Sequence, residues 1–439
     1  MESSKHFRIL QFLIFCYLLV TPLSLRAYPT KQESPVVLKL EAKRVPAAAS
    51  PPLTKLPFSH NVTLTVSLAV GSPPQEVTMV LDTGSELSWL NCKAKTPNAP
   101  LVFAPTLSKS YSPVPCSSPT CMTRTRDFTV PVSCDPNKLC HVILSYADAS
   151  SAEGNLATET FRVGNSELPG VVFGCMDSGS SSNPGEDAKT TGLLGMNLGA
   201  LSFVSQMGVP KFSYCIPGGA AAGVLVFGEA KLPSMKPLSY TPLVRVSTRL
   251  PSFDRVAYTV QLKGIRVSGT VLPIPESDLK PDNTGAGQTM VDSGTQFTFL
   301  LGPAYTQLKN EFVKQTTGVL RTLNAPNFLF QGAMDLCFLF ESTPTSFAAA
   351  LPAVTLMFDG AEMSVGGEKL LYRVPGMTRG KDQVYCFTFG NSDLLGIEAY
   401  VIGHHHQQDL WMEFDLAKSR VGLAEVKCDL VSQNLGLGL

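Results

Sequence analysis

The strongest constraint on the fold of this chain is a short pattern that occurs twice. Val80-Leu81 runs into Asp82-Thr83-Gly84-Ser85, and 210 residues later Met290-Val291 runs into Asp292-Ser293-Gly294-Thr295. In each copy the apolar residues predict a buried strand, the glycine permits a sharp turn after the aspartate, and the hydroxyl groups can hydrogen-bond the carboxylate. One copy is ordinary turn chemistry. Two chance copies are expected in fewer than about 1 in 1,000 chains at average residue frequencies, so we interpret the two segments as parts of one site.

The sequences around the two segments are also alike. Leu64-Thr65-Val66-Ser67-Leu68 precedes the first and Tyr258-Thr259-Val260-Gln261-Leu262 precedes the second. We interpret this as a weak internal repeat of a lobe-sized unit. Two lobes related by a pseudo-twofold axis would bring Asp82 and Asp292 face to face. A homodimer in which each copy supplies one aspartate is excluded, because one chain carries both halves.

The composition indicates a largely β-sheet protein with a sizeable core. The chain has 439 residues, of which 44% are hydrophobic, and this length suits two large domains. Its 33 prolines and 35 glycines separate many short apolar runs rich in Val, Thr, Phe and Leu, which is typical of all-β proteins. The formal net charge is zero and no basic run occurs, so nucleic acid is not an expected partner.

The first residues predict a secretory signal peptide. Lys5, His6 and Arg8 precede an apolar run from Ile9 to Val20, and small or turn-favouring residues follow. We place the signal at 1–26. A retained signal anchor is the alternative, although the run is short for a membrane span. No later stretch approaches that length, and we expect the protein in the secretory pathway: the extracellular space or apoplast, the endoplasmic reticulum or a vacuole.

The rest of the chain divides by composition. Residues 27–57 are rich in Pro and Ala and predict an extended arm or a short pro-segment. We assign the N-terminal lobe to 58–236, the C-terminal lobe to 237–429 and a short tail to 430–439. A proline-rich insert at 92–140 carries several cysteines and is expected to be irregular and held by disulfides. Short helices are predicted at 201–207 and from Pro303 onward.

The cysteine count indicates an oxidising compartment. Of 11 cysteines, Cys16 lies in the signal segment. Ten remain, which predicts five disulfides: Cys92, Cys116, Cys121, Cys134, Cys140, Cys175, Cys215, Cys337, Cys386 and Cys428. A zinc site is not expected, because the cysteines lack the Cys-x2-Cys spacing. Asn61-Val62-Thr63 is a candidate glycosylation sequon.

Further motifs complete a known pattern. Trp89 and Tyr146, with the apolar-apolar-glycine segments Leu193-Leu194-Gly195 and Val401-Ile402-Gly403, accompany the two aspartate segments. Together they resemble the pepsin-type aspartic endopeptidases. The cysteine-rich insert is similar to that of the plant nepenthesin-like branch, and within it to the type called promotion of cell survival. The resemblance covers residues 58–428.

The resemblance implies a bilobal all-β fold with a central cleft and a few short helices. It implies that Asp82 and Asp292 are the catalytic pair. A larger set of residues then takes supporting roles: Thr83 and Ser293 brace the two loops, Gly84 and Gly294 form their turns, Ser85 and Thr295 hydrogen-bond the carboxylates, Tyr146 belongs to a flap, and Trp89 supports it. The implied disulfides are Cys92–Cys175, Cys116–Cys140, Cys121–Cys134, Cys215–Cys428 and Cys337–Cys386.

The paired carboxylates suggest the chemistry directly. Two carboxyl groups in hydrogen-bond reach share one proton, so one acts as a base and the other as an acid. A water between them can attack a peptide carbonyl without a covalent intermediate, a metal or a cofactor. We therefore predict an endopeptidase that acts on proteins or peptides at acidic pH, and we expect it to be a monomer. The alternative from another class is a protease-like binding protein or inhibitor, but both aspartate motifs are intact.

Two departures from the family pattern concern substrate handling. The flap of the nepenthesin-like branch usually reads Tyr-Gly-Asp-Gly-Ser, whereas this chain has Ala147 and Ala149 in place of the glycines. This predicts a stiffer flap or a different turn. Where relatives have Gly-Asn-aromatic-Gln-Gln, this chain has His404-His405-His406 after Gly403. Adjacent histidines on a strand would face opposite sides, so we interpret them as a polar strand-to-turn segment and not as a metal site.

Overall fold

The computed structural model describes residues 34–44, 62–93, 102–182, 184–219, 222–232, 235–341 and 351–437. Residues 35–439 form one unit, and the other unit, 1–34, lies almost entirely outside the described ranges. The predicted signal segment and the sequon at Asn61 therefore fall outside the description. Among the helices that are described, none has the length and apolar character needed to cross a membrane.

The described chain is built mainly from strands. Those of the first half are β1 (Val36–Arg44), β2 (Val62–Val70), β3 (Gln75–Asp82), β4 (Trp89–Asn91), β5 (Ser112–Pro113), β6 (Ser133–Cys134), β7 (Cys140–Ser145), β8 (Ser151–Val163), β9 (Ser166–Ser180), β10 (Gly192–Gly195), β11 (Lys211–Cys215), β12 (Gly223–Phe227) and β13 (Ser239–Pro242). Those of the second half are β14 (Thr259–Val260), β15 (Leu262–Val267), β16 (Thr270–Val271), β17 (Gln288–Val291), β18 (Thr298–Leu300), β19 (Arg321–Thr322), β20 (Cys337–Phe340), β21 (Val354–Phe358), β22 (Glu362–Val365), β23 (Leu371–Arg379), β24 (Asp382–Phe387), β25 (Phe389–Asn391), β26 (Ala399–Ile402), β27 (Leu410–Asp415) and β28 (Arg420–Glu425).

The helices are short. They are α1 (Pro184–Asp187), α2 (Phe203–Met207), α3 (Gly302–Gln315), α4 (Gly367–Leu370) and α5 (Cys428–Asn434). Both predicted helices are confirmed. The Ser202 hydroxyl caps α2 by accepting a hydrogen bond from Ser205 N at 3.3 Å. In α3, Pro303 lies in the first turn, and Tyr305, Leu308 and Phe312 are buried on one face.

The strands form one large sheet and three smaller ones. The large sheet has the order β13-β28-β27-β11-β12-β1-β2-β3-β10-β4-β9-β8-β7-β6, with β5 beside β8. A five-stranded sheet has the order β14-β17-β26-β18-β25, and two four-stranded sheets are β16-β15-β21-β22 and β19-β20-β24-β23. The predicted bilobal all-β fold is confirmed.

The internal repeat is visible in the strand pairing. In the first half, β3 pairs antiparallel with β2 and parallel with β10, and β10 pairs antiparallel with β4. In the second half, β17 pairs antiparallel with β14 and parallel with β26, and β26 pairs antiparallel with β18. The strands β4 and β18 continue the match, since each has a parallel partner, β9 or β25. The two aspartate segments therefore occupy equivalent places in two related units.

The two halves share a core where β11 of the first half pairs antiparallel with β27 of the second. Phe212 stacks on Phe414 with ring centroids 4.6 Å apart, and Tyr258 packs against Phe414 at 4.5 Å. Aromatic contacts of this kind add to the stabilisation from apolar burial. The Cys215–Cys428 disulfide crosses the same region. The junction therefore fixes the two lobes against each other behind the aspartate loops.

The segment predicted as an arm, 27–57, contains a strand. Residues 36–44 form β1, which lies between β12 and β2 and pairs antiparallel with both. Leu38 and Leu40 are buried while Lys39 between them is exposed, which is the alternation of a strand with one face in the core. Removal of this stretch would leave the edges of β12 and β2 unpaired.

Five disulfides are present, as predicted, but two of the pairings implied by the resemblance are wrong. The insert contains Cys116–Cys134 and Cys121–Cys140, not Cys116–Cys140 and Cys121–Cys134. Cys134 and Cys140 lie opposite each other in the hairpin of β6 and β7. Cys140 faces the core and meets the buried Cys121, whereas Cys134 is exposed and meets the half-buried Cys116. The other three pairings, Cys92–Cys175, Cys215–Cys428 and Cys337–Cys386, are as expected.

Candidate active site

The two aspartates lie where equivalent strands end. Asp82 is the last residue of β3, and Asp292 directly follows β17. The Asp82 carbonyl accepts a hydrogen bond from Met196 N at 2.9 Å, just beyond β10, and Asp292 N donates to the Ile402 carbonyl in β26 at 3.1 Å. The apolar-apolar-glycine segments thus run directly beside the aspartate segments and hold their main chains.

Each carboxylate is held by its own turn. The Gly84 N–H donates to Asp82 Oδ1 at 2.8 Å, and the Ser85 hydroxyl donates to Asp82 Oδ2. In the same way Gly294 N–H donates to Asp292 Oδ1 at 2.8 Å, and the Thr295 hydroxyl donates to Oδ2 at 2.5 Å. These bonds fix both side chains, because an ionised carboxylate accepts hydrogen bonds from the turn that follows it.

The two loops are also braced against each other. Ser293 N donates to Thr83 Oγ1 at 2.8 Å, and Thr83 N donates to Ser293 Oγ at 3.0 Å. Each hydroxyl then donates across to the other loop: Thr83 to the Val291 carbonyl at 3.3 Å, and Ser293 to the Leu81 carbonyl at 3.0 Å. Since both side chains are fully buried, these bonds are shielded from water and hold the loops at a fixed separation.

The carboxylates face each other across this brace. A methyl group built on Gly84 would lie 2.8 Å from Asp292 Oδ1, and one built on Gly294 would collide with Asp82. Only glycine therefore leaves room for the opposite carboxylate. Burial, and next the charge of Asp292, raise the pKa of Asp82 to about 7. The pair consequently retains a shared proton well above the pH at which an isolated aspartate ionises.

The predicted flap is the hairpin of β7 and β8. At its turn, Tyr146 Oη accepts a hydrogen bond from Trp89 Nε1 at 2.6 Å. Burial, followed by the negative charge of Asp82, raises the pKa of Tyr146 far above its ordinary value. The hydroxyl therefore stays protonated and can donate towards the cleft.

The flap turn shows the effect of its altered sequence. Ala149, one of the two alanines in place of glycine, has a φ of +66°, a conformation that costs a residue with a Cβ roughly 1–2 kcal/mol. Asp148 holds the turn, because its Oδ1 accepts from Ser150 N at 2.9 Å and its Oδ2 from the Ser182 hydroxyl at 2.6 Å. The turn is thus formed despite the substitution, with local strain at Ala149.

Sequence reasoning missed three residues near the pair. Gln407 Nε2 donates to the main-chain carbonyl of Asp292 at 3.2 Å and to that of Ile402 at 2.8 Å, and Tyr214 Oη donates to Gln407 Oε1. Glu86, directly after the first aspartate turn, is buried and accepts from Leu201 N at 2.9 Å. Burial raises the pKa of Glu86 to about 7. The position of Glu86 next to the motif was a usable signal, whereas Tyr214 and Gln407 are distant in sequence.

The three histidines lie in a turn after β26 and not on a strand. His404 Nδ1 lies 3.2 Å from the Ser293 carbonyl, behind the second aspartate loop. His406 is fully buried between the hydroxyls of Thr298 and Thr388, at 2.7 and 2.8 Å. Burial lowers the pKa of His405 to about 4 and that of His406 well below its usual value. Within the described residues, no cluster of three or more His, Cys, Asp or Glu side chains is arranged to bind a metal.

A cleft of about 1270 Å³ opens above the aspartates. Its walls include both aspartate loops and the flap from Ile143 to Ala152. At one side, the disulfide-held insert at 121–132 faces a loop at 249–257. The cavity is open and large enough for an extended peptide, and both carboxylates line it.

Comparisons with known proteins agree with this architecture. Residues 64–229 match the family described as Xylanase inhibitor N-terminal, and residues 257–425 match Xylanase inhibitor C-terminal. The chain is 61% identical to Aspartic proteinase PCS1 of Arabidopsis thaliana over 408 residues, which cover 92% of this chain and 90% of that protein. It is 30% identical to Aspartic proteinase nepenthesin-1 of Nepenthes gracilis over 369 residues, or 83% of this chain and 77% of that protein.

Solved structures show the same fold at low sequence identity. The crystal structure of edgp has a TM-score of 0.65 at 19% identity and covers 91% of this chain and 96% of its own. Basic 7S globulin from soybean has a TM-score of 0.62 at 19% identity, with 90% and 97% covered. At this identity the likeness concerns the fold alone.

Proposed function

We propose that Asp82 and Asp292 are the catalytic pair of this chain, which belongs to the plant nepenthesin-like family of aspartic proteases and is an aspartic-type endopeptidase. The observation that carries the proposal is the symmetric arrangement of the two carboxylates. Each is held by its own Asp-x-Gly turn, and the two loops are braced through Thr83 and Ser293.

The proposed mechanism follows from the shared proton. The ionised member of the pair removes a proton from a water that attacks the scissile carbonyl, while the protonated member donates to the developing oxyanion. In the resulting diol, the proton taken from water passes to the leaving nitrogen as the carbon–nitrogen bond breaks. One hydroxyl of the diol returns its proton to the other carboxylate as the carboxylic acid product forms, so the pair is again singly protonated. The two groups titrate as a pair, so we assign the acid and base roles to the pair as a whole.

The supporting residues act through geometry. Ser85, Thr295 and the Gly84 and Gly294 amides hold the carboxylates in the orientation that the water requires. The flap carries Tyr146 over the cleft, where its hydroxyl, oriented by Trp89, closes the site against bulk water.

Five disulfides and the family indicate a protein of the secretory pathway that acts on protein substrates. We propose that it works there as a monomer, since one chain supplies both aspartates. The apoplast or extracellular space, the endoplasmic reticulum and a vacuole are the proposed compartments. Acidic working conditions fit a pair that needs one proton.

The proposal is tested by digestion of a peptide library with the purified protein between pH 3 and pH 8. We expect cleavage to be greatest on the acidic side and to fade above about pH 7, where the raised pKa of Asp82 predicts loss of the shared proton. A statine-type mimic should inhibit, because its hydroxyl takes the place of the attacking water. A rate that rises steadily from pH 5 to pH 8 would contradict the mechanism.

The flap is tested by replacing Tyr146. Tyr146→Ala should lower kcat/KM by roughly 100-fold, because it removes the ring that closes over the substrate. Tyr146→Phe keeps the ring but removes the hydroxyl bonded to Trp89, and an intermediate loss of about tenfold is expected. Tyr111→Phe is the matched control, because Tyr111 packs on Phe173 away from the cleft. If wild type and these three variants were equally active, Tyr146 would serve only in packing.

A further inference from the structure

Positive charge is concentrated at one side of the cleft. Among the described residues that line it, the basic ones are Arg126, Arg249 and Arg255. Arg126 belongs to the disulfide-held insert, and the other two belong to the facing loop at 249–257. The three guanidinium groups thus meet across one part of the cleft wall, while the catalytic carboxylates lie elsewhere along the same cavity.

One ion pair fixes this part of the wall. Arg255 Nη2 donates to Asp127 Oδ1, and Asp127 is only 17% exposed. The insert around Asp127 is anchored in turn by the Cys121–Cys140 disulfide to the flap strand β7. The ion pair therefore joins the insert to the facing loop and neutralises the charge of Arg255.

The other two arginines are left open to the cleft. Among the described residues, the guanidinium of Arg249 makes one hydrogen bond, to the Arg126 carbonyl at 2.6 Å. Its Nη2 and the Nε of Arg126 lie 3.9 and 3.7 Å from the Asp127 carboxylate, which Arg255 already engages. Both side chains are mostly exposed, at 67% and 80%. Since a guanidinium has five N–H donors, most of the hydrogen-bonding capacity of these two cleft-lining arginines is accessible to a ligand.

The acidic groups nearby do not cancel this charge. Asp127 and Asp254 supply two carboxylates beside the three arginines. Glu86 is the third acidic residue on this side, and its raised pKa keeps it neutral under mildly acidic conditions. A net positive charge therefore remains where the insert faces the loop.

From this arrangement we infer that Arg126 and Arg249 form a subsite for an acidic side chain, aspartate or glutamate, of the protein substrate. The subsite rests on the proposed endopeptidase function and deepens it, because it gives the substrate a preferred composition at one position away from the cleaved bond. Planar guanidinium groups suit carboxylates, which they can bind through two parallel hydrogen bonds. The Asp127–Arg255 pair preorganises the two arginines by holding both loops in place.

The experiment compares quenched peptides that differ only by glutamate or glutamine, placed in turn at each position around one cleavage site. At pH 5.5 the substrate glutamate is mostly ionised. At one position, kcat/KM for the glutamate peptide should exceed that for the glutamine peptide by about fivefold at low salt, the range expected for an exposed charge pair. The preference should shrink at high ionic strength.

Variants assign the preference to the arginines. Arg249→Gln and Arg126→Gln should each reduce the glutamate-to-glutamine ratio of kcat/KM towards one, while Arg249→Lys should retain part of the preference. Arg266→Gln removes a half-buried arginine that pairs with Glu362 outside the cleft, and its glutamate-to-glutamine ratio should match that of wild type. The glutamine peptide separates the two proposals. A protein that cleaves both peptides equally at every position contradicts the subsite alone, and a protein that cleaves neither contradicts the endopeptidase function.

Discussion

Replacing either Asp82 or Asp292 with asparagine should reduce kcat by roughly a thousandfold or more, because each variant removes one partner of the acid–base pair. Asparagine keeps the size of the side chain and can still accept hydrogen bonds from Gly84 or Gly294, so the loops should remain in place. It cannot share the proton, however, and an amide is far too weak a base to activate water. The effect should be the same for both residues, since the structure holds them in equivalent ways.

The measurement is the rate of hydrolysis of a quenched peptide by purified wild type and variants, with circular dichroism and Tm to verify folding. Asp359→Asn is a suitable control, because Asp359 is exposed in the turn after β21, away from the cleft. The control should retain full activity. Turnover near the wild-type rate by either dyad variant would show that the carboxylates are not the catalytic pair, and an unfolded variant would show that their role is structural.

The geometry of the dyad was predictable because its signals are local. Each apolar strand, aspartate, glycine and hydroxyl residue lies within six positions of the sequence, and local hydrogen bonds place the carboxylates. The repeat in the flanking sequences also predicted two related units. The strand pairing confirms this, because β3 pairs with β10 in the same parallel way as β17 pairs with β26. The local sequence pattern was therefore sufficient to predict the structure of the two aspartate loops.

Other features depend on contacts between distant segments and were therefore missed or mistaken. The pairing of Cys121 with Cys140 follows from which side of β7 faces the core, and spacing alone does not determine it. The bonds of Gln407 to Asp292 and Tyr214 join residues up to 193 positions apart. The sequence of β1 alternates between apolar and charged residues around Leu38 and Leu40, which is typical of a strand. The prolines and alanines that follow it favoured the prediction of an extended arm instead.

The histidine turn was the least predictable feature, and it leads to the second large expected effect. Three adjacent histidines suggested a polar strand-to-turn segment. They do lie in a turn after β26, but His404 and His406 are buried and His405 packs against Phe297 and Tyr372. The charged or titratable groups that face His406 are His404, His405 and Lys369, and each of them disfavours a further positive charge. Neutral His405 and His406 are therefore favoured in the folded turn.

This requirement sets a stability limit on the acidic side. In the unfolded chain a histidine takes up a proton near pH 6.5, whereas burial lowers the folded-state pKa of His405 to about 4 and that of His406 well below its usual value. Between these values the unfolded state binds more protons, so the stabilisation is complete above about pH 6.5 and is lost as the pH falls towards 4. For His405 alone the loss is at most about 3 kcal/mol, and His406 adds to it in the same direction.

The expected result is a Tm that falls steeply from pH 6.5 to pH 4, in the range where the proposed catalytic pair already holds its required proton. His406→Gln should flatten this slope, because glutamine can still hydrogen-bond Thr298 and Thr388 but takes up no proton. His405→Phe should act in the same direction by extending the aromatic contacts with Phe297 and Tyr372. His141→Gln, at a half-buried histidine that pairs with Glu153 on the flap strands, is the control for a histidine outside the turn.

If the double variant His405→Phe/His406→Gln lost stability on acidification as steeply as wild type, the acid limit would have to come from the carboxylates. If instead its optimum for peptide hydrolysis moved to lower pH while the alkaline side stayed fixed, the histidine turn would limit the acidic side of the profile and the dyad the alkaline side.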